Sequence, residues 1–111
     1  MGIQNWSDDI ILVSLVPEPA MGEELLTAIA LAADRKTSDV VIDFADIDII
    51  TSSSIAKLLK LRKTLVDCDR RLILSSIRPQ TKKIFCVTGL DGVFEFVGDQ
   101  FLALAGLQMV N

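Results

Sequence analysis

Hydrophobic residues in this chain form short continuous runs that are separated by segments with a helical period. The runs are rich in Val, Ile and Leu and are bounded by polar residues, a pattern that is typical of buried β-strands. They predict strands at Ile10–Val16, Val40–Phe44, Arg71–Ser75 and Val93–Val97. A Pro-Glu-Pro segment ends the first run, because proline cannot donate a hydrogen bond to a strand ladder.

Between these runs, apolar positions recur every three or four residues, as on the buried face of a helix. They predict helices at Gly22–Ala33, about Ser53–Val66, Gln80–Thr88 and Asp99–Gly106. Strands that alternate with helices favour a largely parallel sheet covered by helices. We therefore predict a single α/β domain over residues 1–111, with roughly four strands and about four α-helices.

Composition narrows the class of protein. Hydrophobic residues make up 50% of the chain and aromatic residues only 5%, so we expect a core of Leu, Ile, Val and Ala. The net charge of −4 disfavours nucleic acid as a partner. No apolar stretch approaches the roughly 18–20 residues of a transmembrane helix, and no signal-peptide pattern is present. We expect a cytoplasmic protein without direct membrane insertion.

The residue types of common catalytic and metal sites are scarce. Histidine is absent, which removes the commonest general base and the commonest metal ligand. The two cysteines, Cys68 and Cys86, form no CxxC pair and are interpreted as small buried hydrophobic residues. We assign Asp43, Asp46 and Asp48 to turn chemistry and capping. The sequence therefore predicts no metal, no cofactor and no enzyme.

A hydroxyl cluster stands where the second strand delivers the chain to the second helix. Its members are Thr51, Ser52, Ser53 and Ser54, and Thr51 or Ser52 is predicted to be the helix N-cap. The remaining hydroxyls have two interpretations. They are either solvated, or one of them is phosphorylated. A phosphate would carry nearly two negative charges, which a helix N-terminus tolerates but a docking partner would not.

Basic residues follow on the same helix. Lys57, Lys60 and Lys63 either meet an acidic patch of a partner or form a solvated face. Lys57 lies one turn after Ser53, so a Ser–Lys nucleophile is conceivable, although no oxyanion-binding group accompanies it. Arg62 falls inside the apolar arc, and we expect only its stem to follow the edge of the core.

The segment VVIDFADIDIITSSSIAKLLKLRKTL resembles the STAS signature of anti-sigma-factor antagonists, in which a strand and loop precede Asp-Ser-Ser-Gly-Leu-Gly and a leucine-rich helix. Downstream, Thr88-Gly89-Leu90-Asp91 and Phe94 resemble the second half of that family, and SDDIILVSLV resembles its early strand. The resemblance covers about residues 8–105. It implies a STAS-like domain whose sheet is mostly parallel or mixed.

The resemblance also implies a site. The family's phosphorylated serine falls on Ser53, with Ser52, Ser54 and Thr51 as weaker alternatives. The implied partner-binding residues are Thr51, Ser52, Ser53, Ser54, Lys57 and Lys60. The chain departs from the signature in having Thr51 for aspartate, and Ser54 and Ala56 for the two glycines.

By the same resemblance, the expected partner is an anti-sigma factor that is also a serine kinase of the GHKL type, with a phosphatase to reset the switch. The alternative is a STAS interaction subunit of a transporter or stressosome-type complex, without a phosphoswitch. The sequence does not decide the oligomeric state.

Overall fold

A five-stranded β-sheet lies at the centre of the protein. The computed structural model describes residues 2–110, and side chains over residues 2–108. Its strands lie side by side in chain order, as β1 (Ile3–Ser7), β2 (Ile10–Ser14), β3 (Asp39–Asp43), β4 (Leu72–Ser75) and β5 (Glu95–Val97). β1 is antiparallel to β2, whereas the other three neighbouring pairs are parallel.

Helices cover both faces of this sheet. They are α1 (Met21–Arg35), α2 (Ser52–Asp67), α3 (Pro79–Val87) and α4 (Gln100–Val110). α1, α2 and Phe85 of α3 share the larger core with one set of strand side chains. α4 packs Ala103, Leu104 and Leu107 against the alternate strand residues on the other face. Burial on both faces explains the continuous hydrophobic runs, since side chains of a strand alternate between faces.

The predicted α/β fold is confirmed, with one strand more than the hydrophobic pattern indicated. β1 carries Gln4, Asn5 and Trp6, all exposed, so no apolar run announces it. It lies at the edge of the sheet, where polar residues are tolerated, and it pairs with β2 while Ile3 packs against the larger core.

The aromatic residues are few but grouped. The ring of Phe85 makes edge-to-face contacts with those of Phe44, Phe94 and Phe96, at centroid distances of 6.5, 5.5 and 5.7 Å. Because Phe85 occupies the inward face of α3, the next residue turns outward. Cys86 is therefore exposed. Cys68, at the carboxyl end of α2, is half-buried, so the prediction of two buried cysteines was wrong.

Arg62 has a defined role that its place in the helical pattern did not predict. The side chain is half-buried, and its Nε donates a hydrogen bond of 2.9 Å to the carbonyl oxygen of Val93. This bond joins α2 to the segment that enters β5. Within residues 2–110, no helix is long and apolar enough to cross a membrane.

Candidate functional site

The loop between β3 and α2 is held rigidly at the carboxyl edge of the sheet. The loop residues Phe44, Ile47 and Ile50 are buried and anchor it to the core. The buried hydroxyl of Thr81 donates to the carbonyl oxygens of Ile47 and Asp48, at 3.3 and 3.1 Å. These contacts fix the point at which α2 begins, and with it the serine cluster.

Thr51 is the N-cap of α2, as the sequence predicted. Its Oγ1 accepts a hydrogen bond of 3.1 Å from the backbone N–H of Ser54, one of the amides that the helix itself leaves without a partner. Ser54 is only 1% exposed, because its position in the first turn faces the core. Its hydroxyl is therefore out of reach of a modifying enzyme.

Glu18, from the loop between β2 and α1, completes the cap. Its Oε2 accepts hydrogen bonds from both the backbone N–H and the hydroxyl of Thr51, each 2.9 Å long. The carboxylate thus lies at the amino end of α2, where the helix dipole favours negative charge. Sequence analysis missed Glu18. The available signal was that loops after adjacent parallel strands meet at one edge of the sheet.

These contacts change the acidity of Glu18. Burial raises the pKa of its carboxyl group, but the backbone N–H of Thr51 and the side chains of Ser54 and Thr51 lower it. The ammonium group of Lys57 acts in the same direction. The lowering effects outweigh burial, so the pKa of Glu18 lies below its ordinary value and the group is charged at neutral pH.

Ser52 and Ser53 are the exposed hydroxyls of the first turn of α2. The Nζ of Lys57 donates a hydrogen bond of 2.9 Å to Oγ of Ser53, across one helical turn. Lys60 lies further along the helix and is also exposed. The structure thus brings Ser53 and Lys57 into contact and leaves Ser52 and Lys60 in solvent.

The three aspartates of this region have structural contacts or line its surface. Asp43 Oδ1 accepts from the backbone N–H of Ala45 at 2.9 Å, which is the turn chemistry that was predicted. Asp48 forms an ion pair with Arg78. Asp46 is exposed. Over residues 2–110, no group of three or more His, Cys, Asp or Glu side chains is arranged to hold a metal ion.

A groove of about 280 Å³ lies beside the cap. Its walls come from the two loops that meet at this edge, and they include Pro17, Glu18, Asp46, Asp48 and Ile49. Ile49 is 70% exposed and adds an apolar side chain to the wall of this groove. The surface near Ser53 therefore combines an apolar contact, a carboxylate-lined groove and the ammonium group of Lys57.

Comparison with known proteins decides the family. The model of the STAS domain matches residues 20–102, which is most of the chain. The chain belongs to the STAS family. A curated relative, BtrV of Bordetella bronchiseptica, is named as a candidate anti-sigma factor antagonist and is 25% identical over 93 residues, or 84% of this chain and 80% of that protein.

Solved STAS structures share the fold. TM1081 of Thermotoga maritima, an NMR structure, has a TM-score of 0.79 at 13% identity and covers 97% of this chain and 89% of its own. The unphosphorylated anti-sigma factor antagonist SpoIIAA has a TM-score of 0.75 at 15% identity and covers 96% of both chains. RsbS of Moorella thermoacetica, solved as a serine-to-glutamate variant, has a TM-score of 0.73 at 19% identity and covers 99% of this chain and 98% of its own.

In the STAS signature an aspartate precedes the serine pair, and this STAS domain has Thr51 in its place. The structure nevertheless contains a carboxylate at that point, because Glu18 reaches the N-cap from the preceding loop. In this chain a carboxylate therefore lies at the start of α2 although position 51 is threonine.

Proposed function

We propose that this STAS domain is a regulatory protein-binding module that acts as an anti-sigma factor antagonist, with Ser53 as its phosphorylation site. The observation that carries the proposal is the contrast within the first turn of α2. Ser53 is exposed and lies 2.9 Å from a lysine ammonium group, whereas Ser54 is buried and Thr51 is engaged as the cap. The docking surface comprises Thr51, Ser52 and Ser53 together with Lys57 and Lys60, and it leaves out Ser54 because that side chain is buried.

Phosphorylation would change this surface without unfolding it. A phosphate on Ser53 carries nearly two negative charges at neutral pH. It would be accommodated by Lys57 and by the amino end of α2. A partner that docks over the same turn would have to bury that charge, which is strongly unfavourable unless it supplies a matching cation. The modified protein would therefore release its partner.

The partner we propose is an anti-sigma factor that is also a GHKL-type serine kinase, with a phosphatase that restores the free hydroxyl. The relatedness to BtrV supports this class of partner. Structures of SpoIIAA have been solved in both the unphosphorylated and the phosphorylated form, which supports a phosphorylation switch in proteins of this fold. A cytoplasmic location and a binding role, rather than catalysis, accompany this proposal.

The test compares two neighbouring charge substitutions. Ser53→Asp and Ser52→Asp add the same charge to the same exposed turn, and each is used in a pull-down with a GHKL-type anti-sigma kinase of the same genome. We expect Ser53→Asp to weaken binding by about tenfold or more, as expected for burying an unmatched charge, and Ser52→Asp to weaken it less.

Incubation of the wild-type protein with the same kinase and ATP, followed by mapping of the modified residue, completes the test. We expect phosphate on Ser53. Unmodified protein, together with a Ser53→Asp variant that binds as well as wild type, would refute the switch.

A second candidate is a permanent interaction subunit of a transporter or stressosome-type complex. It is favoured by Thr51, Ser54 and Ala56, which stand in place of the signature aspartate and glycines. Copurification with a transporter ATPase that is unaffected by Ser53→Asp would support this candidate over the first.

A further inference from the structure

A second charged site lies at the edge of the sheet opposite the serine cluster. Here the second half of α2 passes over the start of β4 and β5, and a cavity of about 170 Å³ opens between them. Three arginines, Arg62, Arg70 and Arg71, line this cavity together with Glu95. Nothing in the proposed switch uses these residues.

Two of the three arginines already have acidic partners. Arg70 forms a bidentate ion pair with Asp39. Its Nε donates to Oδ1 at 3.2 Å and its Nη2 donates to Oδ2 at 3.1 Å. Arg71 pairs in the same way with Glu95, and this hydrogen bond is the main reason why the pKa of Arg71 is raised. Their charges are largely balanced.

Arg62 is different. Its Nε is held by the carbonyl oxygen of Val93, which fixes the direction of the guanidinium group. Within residues 2–110, none of the ion pairs includes Arg62, and neither of its terminal nitrogens has a hydrogen-bond partner. A half-buried arginine whose four terminal N–H groups have no acceptor among residues 2–110 thus lines a cavity with two further arginines.

We propose that this cavity binds a small tetrahedral oxyanion of the phosphate type. The planar fork of arginine matches the oxygens of such an anion, and an anion here would balance the charge of Arg62. Val66, Leu72 and Phe94 supply the apolar part of the cavity wall.

The size of the cavity selects among anions. Pockets for drug-sized ligands and cofactors usually measure about 300–1,000 Å³, and this cavity is smaller. A nucleotide therefore fits poorly, whereas a free phosphate or sulfate ion fits. Phosphate and sulfate share the same geometry, and titrating each of them distinguishes the two.

The binding test uses the full chain labelled with ¹⁵N and titrated with sodium phosphate at constant ionic strength. We expect saturable shifts of the Nε–H signal of Arg62 and of the amide signals of Arg71 and Val93, with the signals of residues 51–54 unchanged. Parallel titrations with sulfate and with AMP identify the anion, and we expect AMP to bind more weakly than either ion.

Two substitutions on α2 provide the matched comparison. Arg62→Gln and Lys63→Gln each remove one positive charge from neighbouring positions, but Lys63 lies outside the cavity and pairs with Asp67. We expect Arg62→Gln to weaken phosphate binding about tenfold, as loss of a charge-assisted hydrogen bond predicts, and Lys63→Gln to leave it nearly unchanged. Equal weakening by both would show non-specific attraction and overturn the proposal.

A third variant tests the site even if Arg62→Gln is poorly folded. Glu95→Gln removes the carboxylate that competes with the anion for Arg71. We expect this variant to bind phosphate more tightly than wild type, and phosphate to raise its melting temperature more than chloride does. Weaker binding by Glu95→Gln, or no saturable shift in wild type up to high millimolar phosphate, would refute the site.

Discussion

At the scale of single residues, the first turn of α2 carries charges of opposite sign on two sides. Lys57 reaches Ser53 from within the helix, and Glu18 reaches Thr51 from the neighbouring loop. A phosphate on Ser53 would be attracted by the first and repelled by the second. The balance of the proposed switch therefore depends on Glu18 as well as on the serines.

The lowered pKa of Glu18 makes part of the protein's stability dependent on pH. A carboxyl group with a lower pKa in the folded state binds fewer protons there than in the unfolded chain. Its stabilising effect is present above its unfolded pKa, near the ordinary value of 4.5, and is lost as the pH falls through the folded pKa. The charged group thus favours folding at neutral pH and ceases to do so in acid.

We predict that Glu18→Gln flattens this dependence. The variant should be less stable than wild type at neutral pH, and the difference should shrink as the pH falls below the ordinary value of 4.5 and through the lower folded pKa of Glu18. Urea unfolding at a series of pH values measures it, with Glu23→Gln as an exposed control in the first turn of α1. A Glu18→Gln profile parallel to that of wild type would contradict the prediction.

At the scale of elements, the loop before α1 and the loop before α2 meet at the amino end of α2. Thr51 accepts from the backbone of Ser54 and donates to Glu18, so a single hydroxyl serves the helix and its neighbour together. This arrangement explains how the chain tolerates threonine where the STAS signature has aspartate. With an aspartate at position 51, its carboxylate and that of Glu18 would lie at the same end of α2.

We therefore predict that restoring the signature aspartate destabilises the protein. Thr51→Asp keeps an N-cap acceptor but loses the hydroxyl donor and places a second negative charge beside Glu18. We expect a loss of about 1 kcal/mol in the free energy of unfolding at neutral pH, typical of close like charges in partly solvated surroundings.

The double variant Thr51→Asp with Glu18→Gln separates repulsion from capping. It should recover most of the loss, because the added aspartate then faces a neutral amide. Urea unfolding of the four proteins forms a double-mutant cycle. A Thr51→Asp variant that is as stable as wild type, or additive effects of the two substitutions, would argue against the repulsion.

Most of the elements could be predicted from the sequence, because the central strands are buried on both of their faces and each helix is buried on one face. β2, β3 and β4 are short apolar runs, and α2 has a cap residue followed by a periodic apolar face. The hydrophobic pattern did not predict β1, because this strand pairs through backbone hydrogen bonds, which do not depend on side-chain hydrophobicity.

The candidate site was predictable only in part, for a similar reason. Thr51 and the serines are local signals at the start of a helix. Glu18 is 33 residues before Thr51, and its role depends on the adjacency of β2 and β3 in the sheet. The hydrogen bond from Arg62 to Val93 likewise spans 31 residues. Contacts of this kind arise from topology, which the hydrophobic pattern specifies only coarsely.

At the scale of the whole molecule, the helices on the two faces of the sheet have different roles. α1 and α2 pack on one face and position the serine cluster. Of the described helices, α4 is the one that covers the other face, through a small core around Val41 and Ile73. Stability and the proposed binding surface should therefore be separable for a change at Leu104, because the smaller core around it includes no described residue of α2. A direct link between α4 and this end of the sheet is the hydrogen bond of 3.1 Å from Gln100 Nε2 to Asp43 Oδ2.

We predict that Leu104→Ala destabilises the protein without altering partner binding. Leu104 is 7% exposed against the sheet, whereas Leu102 on the same helix is 54% exposed. Removing a buried leucine typically costs about 2–5 kcal/mol, and the low end applies here because the site is near the surface. Leu102→Ala, the matched control, should change the free energy of unfolding by less than about 0.5 kcal/mol.

Urea unfolding measures both variants, and the pull-down used for Ser53→Asp measures their binding well below the melting temperature. If the two faces are independent, Leu104→Ala retains wild-type affinity while losing stability, because the contacts of Thr51, Ser53 and Lys57 remain as they are. Loss of binding in a folded Leu104→Ala protein would instead show that the sheet transmits packing changes from α4 to α2. In that case partner binding would depend on packing across the strands as well as on the residues at the start of α2.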